Sequence, residues 1–181
     1  MKIFLIGPGG TGKSTTGKIL AKLLGYDLVD LDTEFCQQIE NIGTYIDKHG
    51  YEKYCFENSE LFYKLLNQSP ENTVMPLSSG FLVHEEVPEL AQLHKQTLKT
   101  SGLSILLLPD ESLVVSTRIL LERQLSRGFG LKEDREKTKI THRLPIYKEL
   151  GDIKIFSHEK PEIIAEEMKE AVIIYNNKKS L

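Results

Sequence analysis

The chain has 181 residues with a formal net charge of −3, which suits one domain and gives no global attraction to nucleic acid or an anionic membrane. Hydrophobic residues at 40% and charged residues at 27% are ordinary for a soluble globular fold, and no apolar stretch approaches a membrane span. Cys36 and Cys55 have neither CxxC nor metal-ligand spacing, which suits reduced thiols in a cytoplasmic protein.

The first element predicted is a buried parallel strand, Lys2 to Ile6. Gly7 to Ser14 then read Gly-Pro-Gly-Gly-Thr-Gly-Lys-Ser, a Walker A loop, with Thr15 following. A polyphosphate needs many donors at close range, and glycines let the backbone turn its N–H groups inward. Gly9, Gly10, Thr11, Gly12, Lys13, Ser14 and Thr15 are therefore the expected nucleotide contacts. Lys13 is expected to reach the β- and γ-phosphates, and the Ser14 hydroxyl to ligate Mg²⁺. Ile19, Leu20, Leu23 and Leu24 fall at helical spacing after the loop, and Gly25 is a natural stop.

A second strand is predicted over Asp27 to Leu31, and Thr33 to Leu66 should be helical with breaks near Gly43 and Gly50. A third strand is expected around Thr73 to Leu77, although Pro76 cannot donate to a ladder. Ser104 to Leu108 reads as a buried strand and Ile153 to Phe156 as an edge-like one. In the last helix Ile164, Met168, Ala171, Val172 and Tyr175 share a face that should dock on the sheet. Strands alternating with helices point to βαβ units. The segment 122–141 mixes Arg123, Arg127 and other cations with acids around Gly128 and Gly130, as in a flap or a solvated helix pair. The five histidines are far apart, and surface or capping roles are expected for each.

Asp30-Leu31-Asp32 is the next chemical signal. If the second strand runs through it, alternation puts both carboxylates on one side, at the strand end that borders the ligand crevice. One acid can serve the metal, and the other can take a proton from an acceptor hydroxyl. A plainer reading is that Asp32 caps the following helix.

The Walker loop, Asp30-Leu31-Asp32 and Arg143-Leu144-Pro145-Ile146-Tyr147-Lys148-Glu149 together resemble the shikimate kinase family. Ile42 to Glu60, with Gly43, Gly50 and Glu60, is similar to that family's substrate-binding helices. The resemblance implies a three-layer α/β P-loop fold, with a five-stranded parallel sheet in order 2-3-1-4-5. Within it lie a helical acceptor-binding subdomain at 33–66 and a lid at 122–141. It implies transfer of the ATP γ-phosphate to a hydroxyl of a small metabolite by a monomer. Asp32 would contact that hydroxyl, and Asp30 would serve Mg²⁺ with Ser14. Arg143 would meet the substrate carboxylate, and Arg118 would lie against adenine. Arg123 or Arg127 would neutralise charge during transfer, and the segment from Ser157 to Pro161 would border the base.

The acceptor half departs from the family pattern. Where the family has Phe-Arg, this chain reads Tyr54-Cys55-Phe56-Glu57, and Cys55 or Glu57 takes the Arg position. No arginine precedes Arg118. Where the family has three glycines, this chain has Ser78-Ser79-Gly80. Ser79, Gly80 and Glu57 are thus candidate substrate contacts, and an inward Glu57 would favour a neutral or amine-bearing polyol. Rival readings are another phosphotransferase of this fold, a nucleotide sensor without transfer, and a motor ATPase using Asp110-Glu111 as a Walker B pair.

Overall fold

The computed structural model describes residues 1–126 and 132–179. Five parallel strands, β1 (Lys2–Ile6), β2 (Asp27–Leu28), β3 (Thr73–Pro76), β4 (Leu103–Leu108) and β5 (Ile153–Phe156), lie in the order β2-β3-β1-β4-β5. The connecting helices are α1 (Lys13–Leu24), α2 (Leu31–Gln38), α3 (Ile42–His49), α4 (Tyr51–Gln68), α5 (Pro88–Ser101), α6 (Leu113–Leu125), α7 (Glu133–Lys148) and α8 (Pro161–Lys179).

Alternation along the strands divides the interior into two cores. Ile3 and Leu5 of β1, with Ile105 and Leu107 of β4, face α1 and α8, where Leu20, Ile164, Met168 and Val172 meet them. Phe4 and Ile6, with Leu106 and Leu108, face the other layer, built on Phe35, Tyr54, Phe62, Leu120 and Leu144. The sheet is therefore buried on both faces, as a parallel sheet must be.

Pro76 is accommodated at the end of β3. Leu77 N–H donates to Leu5 O at 3.0 Å, and the Val74 carbonyl on the opposite edge accepts from Val29 N–H at 3.0 Å. Pro76, two residues beyond Val74, faces the β2 side past that Val29 bond, where the paired register has ended, so its missing N–H breaks no ladder bond.

Four expectations change. The second strand is two residues long rather than five, because Asp30 turns the chain into α2. The first helix break falls at 39–41 rather than Gly43, since Asn41 caps α3 and Gly43 lies inside it; Gly50 does separate α3 from α4. Helix α5 was not foreseen, because His94 takes a core position on its buried face with Ala91 and Leu98. His84 and His94 are interior, at 3% and 0% exposure, not surface groups. Among the described residues no helix is long and apolar enough to cross a membrane.

Candidate active site

The loop from Gly7 to Gly12 joins β1 to α1. Gly10 and Gly12 have φ of 87° and 92°, in the left-handed region that glycine adopts without strain. Gly12 is the N-cap of α1 and supplies no side-chain cap, so the first-turn N–H groups are presented to a ligand together with the helix's positive end. Lys13 is buried, and its ammonium donates to Gly7 O at 2.7 Å and Pro8 O at 3.0 Å. The Thr11 hydroxyl donates to Pro8 O at 3.1 Å and tightens the same turn.

Asp30 and Asp32 reach this loop by a route the sequence reading did not expect. Asp30 is the N-cap of α2, and its Oδ1 accepts from Thr33 N–H at 3.0 Å. Asp30, not Asp32, is the cap. Leu31 between them is fully buried and anchors the helix start, while both acids line one cleft of about 150 Å³ with Lys13, Ser14 and Thr15. Gly9, Gly10, Gly12, Leu77, Ser79 and Gln124 complete its wall. Asp30 Oδ2 is enclosed and has no partner. Asp30, with this orphaned carboxylate oxygen, and Ser14, with its hydroxyl, line the same cleft and offer the hard oxygen donors that Mg²⁺ takes, so these residues fit the metal that the motif implies.

Asp32 is held from the other side. Ser78 Oγ donates to Asp32 Oδ1 and accepts from Asn58 Nδ2 at 3.0 Å. Ser78 and Asn58 are buried, so a polar chain runs from α4 through the loop after β3 to the acid. Tyr54 lies beside it, its phenol pushed upward in pKa by burial and by the Asp32 charge. Asn58 went unnoticed in the sequence; its place one helical turn from Cys55 on a buried face was the available signal.

The loop carrying Ser78, Ser79 and Gly80 is pinned twice. The buried Tyr147 hydroxyl donates to Ser79 O at 3.0 Å, which gives the tyrosine of the Arg-x-Pro-x-Tyr-x-Glu segment a physical task. His94 stacks on Phe81 with ring centroids 3.7 Å apart; its Nδ1 lies 2.9 Å from Phe81 O and its Nε2 2.8 Å from Ser59 Oγ. Burial pushes the His94 pKa down to about 4. The neutral ring then donates from Nδ1–H to the carbonyl and accepts the serine proton at Nε2.

Arg143 lies at the far side of Gly80. Its Nη2–H donates to Tyr51 Oη at 3.3 Å. Tyr51 Oη and Cys55 Sγ each lie 3.2 Å from His84 Nδ1. A Cβ on Gly80 would sit 2.5 Å from Tyr51 Oη, so any larger residue here would have to displace the tyrosine side chain. Burial pushes Cys55 up to about 12 and His84 down to about 4, with His94 and Arg143 adding to the latter. Both groups are neutral near pH 7.

Glu57 does not join this cluster. Two residues from Cys55 on a helix is about 200° around the axis. Glu57 accepts from the Tyr45 hydroxyl at 3.3 Å and lines a separate groove with Gln38, Glu60 and Lys64. Of the two alternatives, Cys55 is the residue on the Arg143 side, and Glu57 faces the other groove.

Helix α6 divides its arginines. Arg123 donates to Gly10 O at 3.3 Å, and Gln124, which the sequence reading missed, closes over Gly9. Arg118 is exposed, on the opposite face from Leu120; it lines a groove of about 460 Å³ between α6 and α7 with Val114, Leu121 and Pro145. The structure does not bring it to the phosphate cleft. Arg127 lies outside the described residues, and of the 122–141 segment residues 122–125 end α6 and residues 133–141 begin α7. Beyond β5, Ser157 N–H donates to Leu108 O and His158 Nδ1 lies 3.2 Å from Pro109 O, placing that segment beside the end of β4.

Residues 9–173 match the family model described as shikimate kinase. The shikimate kinase of Thermobifida fusca is 27% identical over 173 residues, covering 92% of this chain and 94% of the relative. The pentafunctional AROM polypeptide of Candida glabrata is also 27% identical, over 172 residues, but the chain spans 10% of that relative's length. It spans a still smaller share of other AROM polypeptides. The shikimate kinase of Aquifex aeolicus superposes with a TM-score of 0.72 at 25% identity, covering 97% of this chain and 98% of that one. A shikimate kinase from Acinetobacter baumannii in complex with shikimate gives a TM-score of 0.76 at 20% identity, covering 96% and 93%. With 165 consecutive positions inside the family model, the chain belongs to the shikimate kinase family.

Proposed function

We propose that this protein is an ATP-dependent small-molecule kinase that transfers the γ-phosphate to an alcohol. One observation carries the reading: Lys13 and Ser14 of the phosphate loop line a single cleft with Asp30 and Asp32. Phosphoryl transfer asks the protein for positioning and charge stabilisation more than for covalent chemistry, and the residues divide along those lines. Backbone N–H groups from Gly9 to Ser14 cradle the phosphates, and Lys13 turns from its loop carbonyls to the β- and γ-oxygens. Asp32 orients the acceptor hydroxyl and takes its proton as the oxygen bonds to the γ-phosphorus and the bond to the ADP oxygen breaks. Arg123, whose guanidinium donates to the Gly10 carbonyl, would offset charge on the transferring group. Ser14 and Asp30 would hold Mg²⁺, and the ion would supply positive charge against the phosphates.

The motor reading loses its main support, because Asp110 Oδ1 accepts from Ser112 N–H at 2.7 Å and helps build the turn into α6. Neither Asp110 nor Glu111 lines the phosphate cleft. The test is a coupled ADP-release screen across hydroxylated metabolites with wild type and Lys13→Ala. Acceptor-stimulated ADP release that Lys13→Ala abolishes supports the kinase. ATP binding without any acceptor stimulation points instead to a nucleotide sensor.

A further inference from the structure

We propose that Gln124 is a nucleotide contact in its own right: its side-chain amide donates to the terminal phosphate of a bound nucleoside triphosphate and lets the cleft tell a triphosphate from a diphosphate. The inference rests on the phosphotransfer reading above and adds a substrate-touching residue to the same site.

The amide is built into the cleft wall. Helix α6 lays its last turns on the phosphate loop. A Cβ on Gly10 would meet Leu120 Cδ2 and Leu120 O at 3.5 Å and Gln124 Cγ at 3.6 Å. Leu120 is fully buried, and Gln124, one turn on, is 9% exposed, so the helix fixes where this side chain leaves the backbone. The neighbouring Arg123 ties the same turn to Gly10 O. The amide end comes to Gly9, where a Cβ would lie 2.2 Å from Gln124 Nε2. The glycine leaves the space that the amide fills. Gln124 thereby lines one cleft with Lys13, Ser14 and Asp32.

This amide holds no other element in place. Among the described residues its side chain has no hydrogen-bond partner. A buried amide left so is costly, and buried polar groups are paired as a rule. Its two N–H donors face a cleft whose other walls suit phosphate, and an N–H bond to an ionised oxygen is among the stronger kinds. Helix α6 arrives by its C-terminal turn, the end that disfavours an anion, so a donor here has to come from a side chain.

The position assigns the amide to the terminal phosphate. The same Cβ point on Gly9 lies 3.7 Å from Ser79 Cβ. Ser79 belongs to the loop after β3, where its neighbour Ser78 holds Asp32. Gln124 therefore sits at the seam between the phosphate loop and the acceptor side. The phosphate that passes to an alcohol at Asp32 is the terminal one, and a diphosphate lacks the group that this seam receives.

The experiment is calorimetric titration of the full chain with Mg²⁺ and either β,γ-imido ATP or ADP, for wild type, Gln124→Leu and Gln124→Glu. Gln124→Leu keeps the bulk and removes the amide. Gln124→Glu keeps the length and sets a carboxylate against the phosphate. In each variant the ratio of imido-ATP affinity to ADP affinity should fall at least tenfold, the worth of one hydrogen bond to a charged group. A smaller fall in a variant that melts like wild type overturns the inference, as does an equal loss for both nucleotides. Where Gln124→Leu fails to fold, Gln124→Glu carries the same expectation and the same refutation. Wild type that binds neither nucleotide overturns the phosphotransfer reading and this inference together. Calorimetry needs no acceptor, so a failed acceptor screen, which counts against phosphotransfer alone, is told apart from a failure at Gln124.

Discussion

Acidification should loosen the loop that carries Ser78, Ser79 and Gly80, through His94. This ring is fully buried, stacked on Phe81 and tied to Phe81 O and Ser59 Oγ. Its pKa is pushed from 6.5 down to about 4 by burial. In the unfolded chain the ring binds a proton below about pH 6.5, whereas the folded ring stays neutral until about pH 4. Between those values the unfolded state holds more protons, so stability is full above 6.5 and is lost as the pH falls. From pH 7.5 to pH 5 the loss from this one group is about 2 kcal/mol by linkage. That moves a urea midpoint down by about 1 M. The assay is urea unfolding followed by circular dichroism at the two pH values, with wild type and His94→Gln. The variant should be weaker at pH 7.5, because it loses the stack, and should lose about 2 kcal/mol less on acidification. Parallel losses in the two proteins would refute the argument. His84, also lowered to about 4 by burial first of all, contributes in the same direction.

Ser78→Ala removes a hydrogen bond to the Asp32 carboxylate and strands the buried Asn58 amide, at a cost of about 1.5–3 kcal/mol. Steady-state kinetics should show kcat reduced about tenfold or more with the KM for ATP changed little, since each 1.4 kcal/mol is worth about tenfold; an unchanged kcat would show that Ser78 does not position the acid. Gly17→Ala puts a Cβ 2.8 Å from Pro76 Cγ and 2.9 Å from Leu5 Cδ1, where α1 rests on the sheet. Overpacking there should cost about 1–3 kcal/mol and outweigh a helix-propensity gain of about 1 kcal/mol. Calorimetry should therefore find a lower melting temperature, and a raised one would show that the sheet yields.

The phosphate half of the site was legible because its chemistry is local. A glycine loop, a lysine and a hydroxyl at fixed offsets must sit between a strand and a helix, and they do. Asp30 and Asp32 were legible as residues but not as geometry: the side chain of Asp30 captures Thr33 N–H and ends the extended run three residues early. The acceptor half resisted reading because it is assembled from distant segments. Asn58, Ser78 and Asp32 meet only when α4 packs beneath the loop after β3, and no spacing announces that. Glu57 and Cys55 could not be told apart until the phase of α4 was fixed. His94 looked like a surface residue because a histidine in a helical pattern carries no sign of the carbonyl that will satisfy it.

The central claim is that Asp32 receives the acceptor's proton beside a phosphate-gripping loop. Asp32→Asn keeps the shape and a hydrogen-bonding oxygen for Ser78, but it removes the charge and the base. Acceptor-dependent ADP release should fall by about a hundredfold or more, in line with general-base contributions, while ATP affinity measured by calorimetry stays within about threefold. A variant that phosphorylates its acceptor at near wild-type rate would contradict the account.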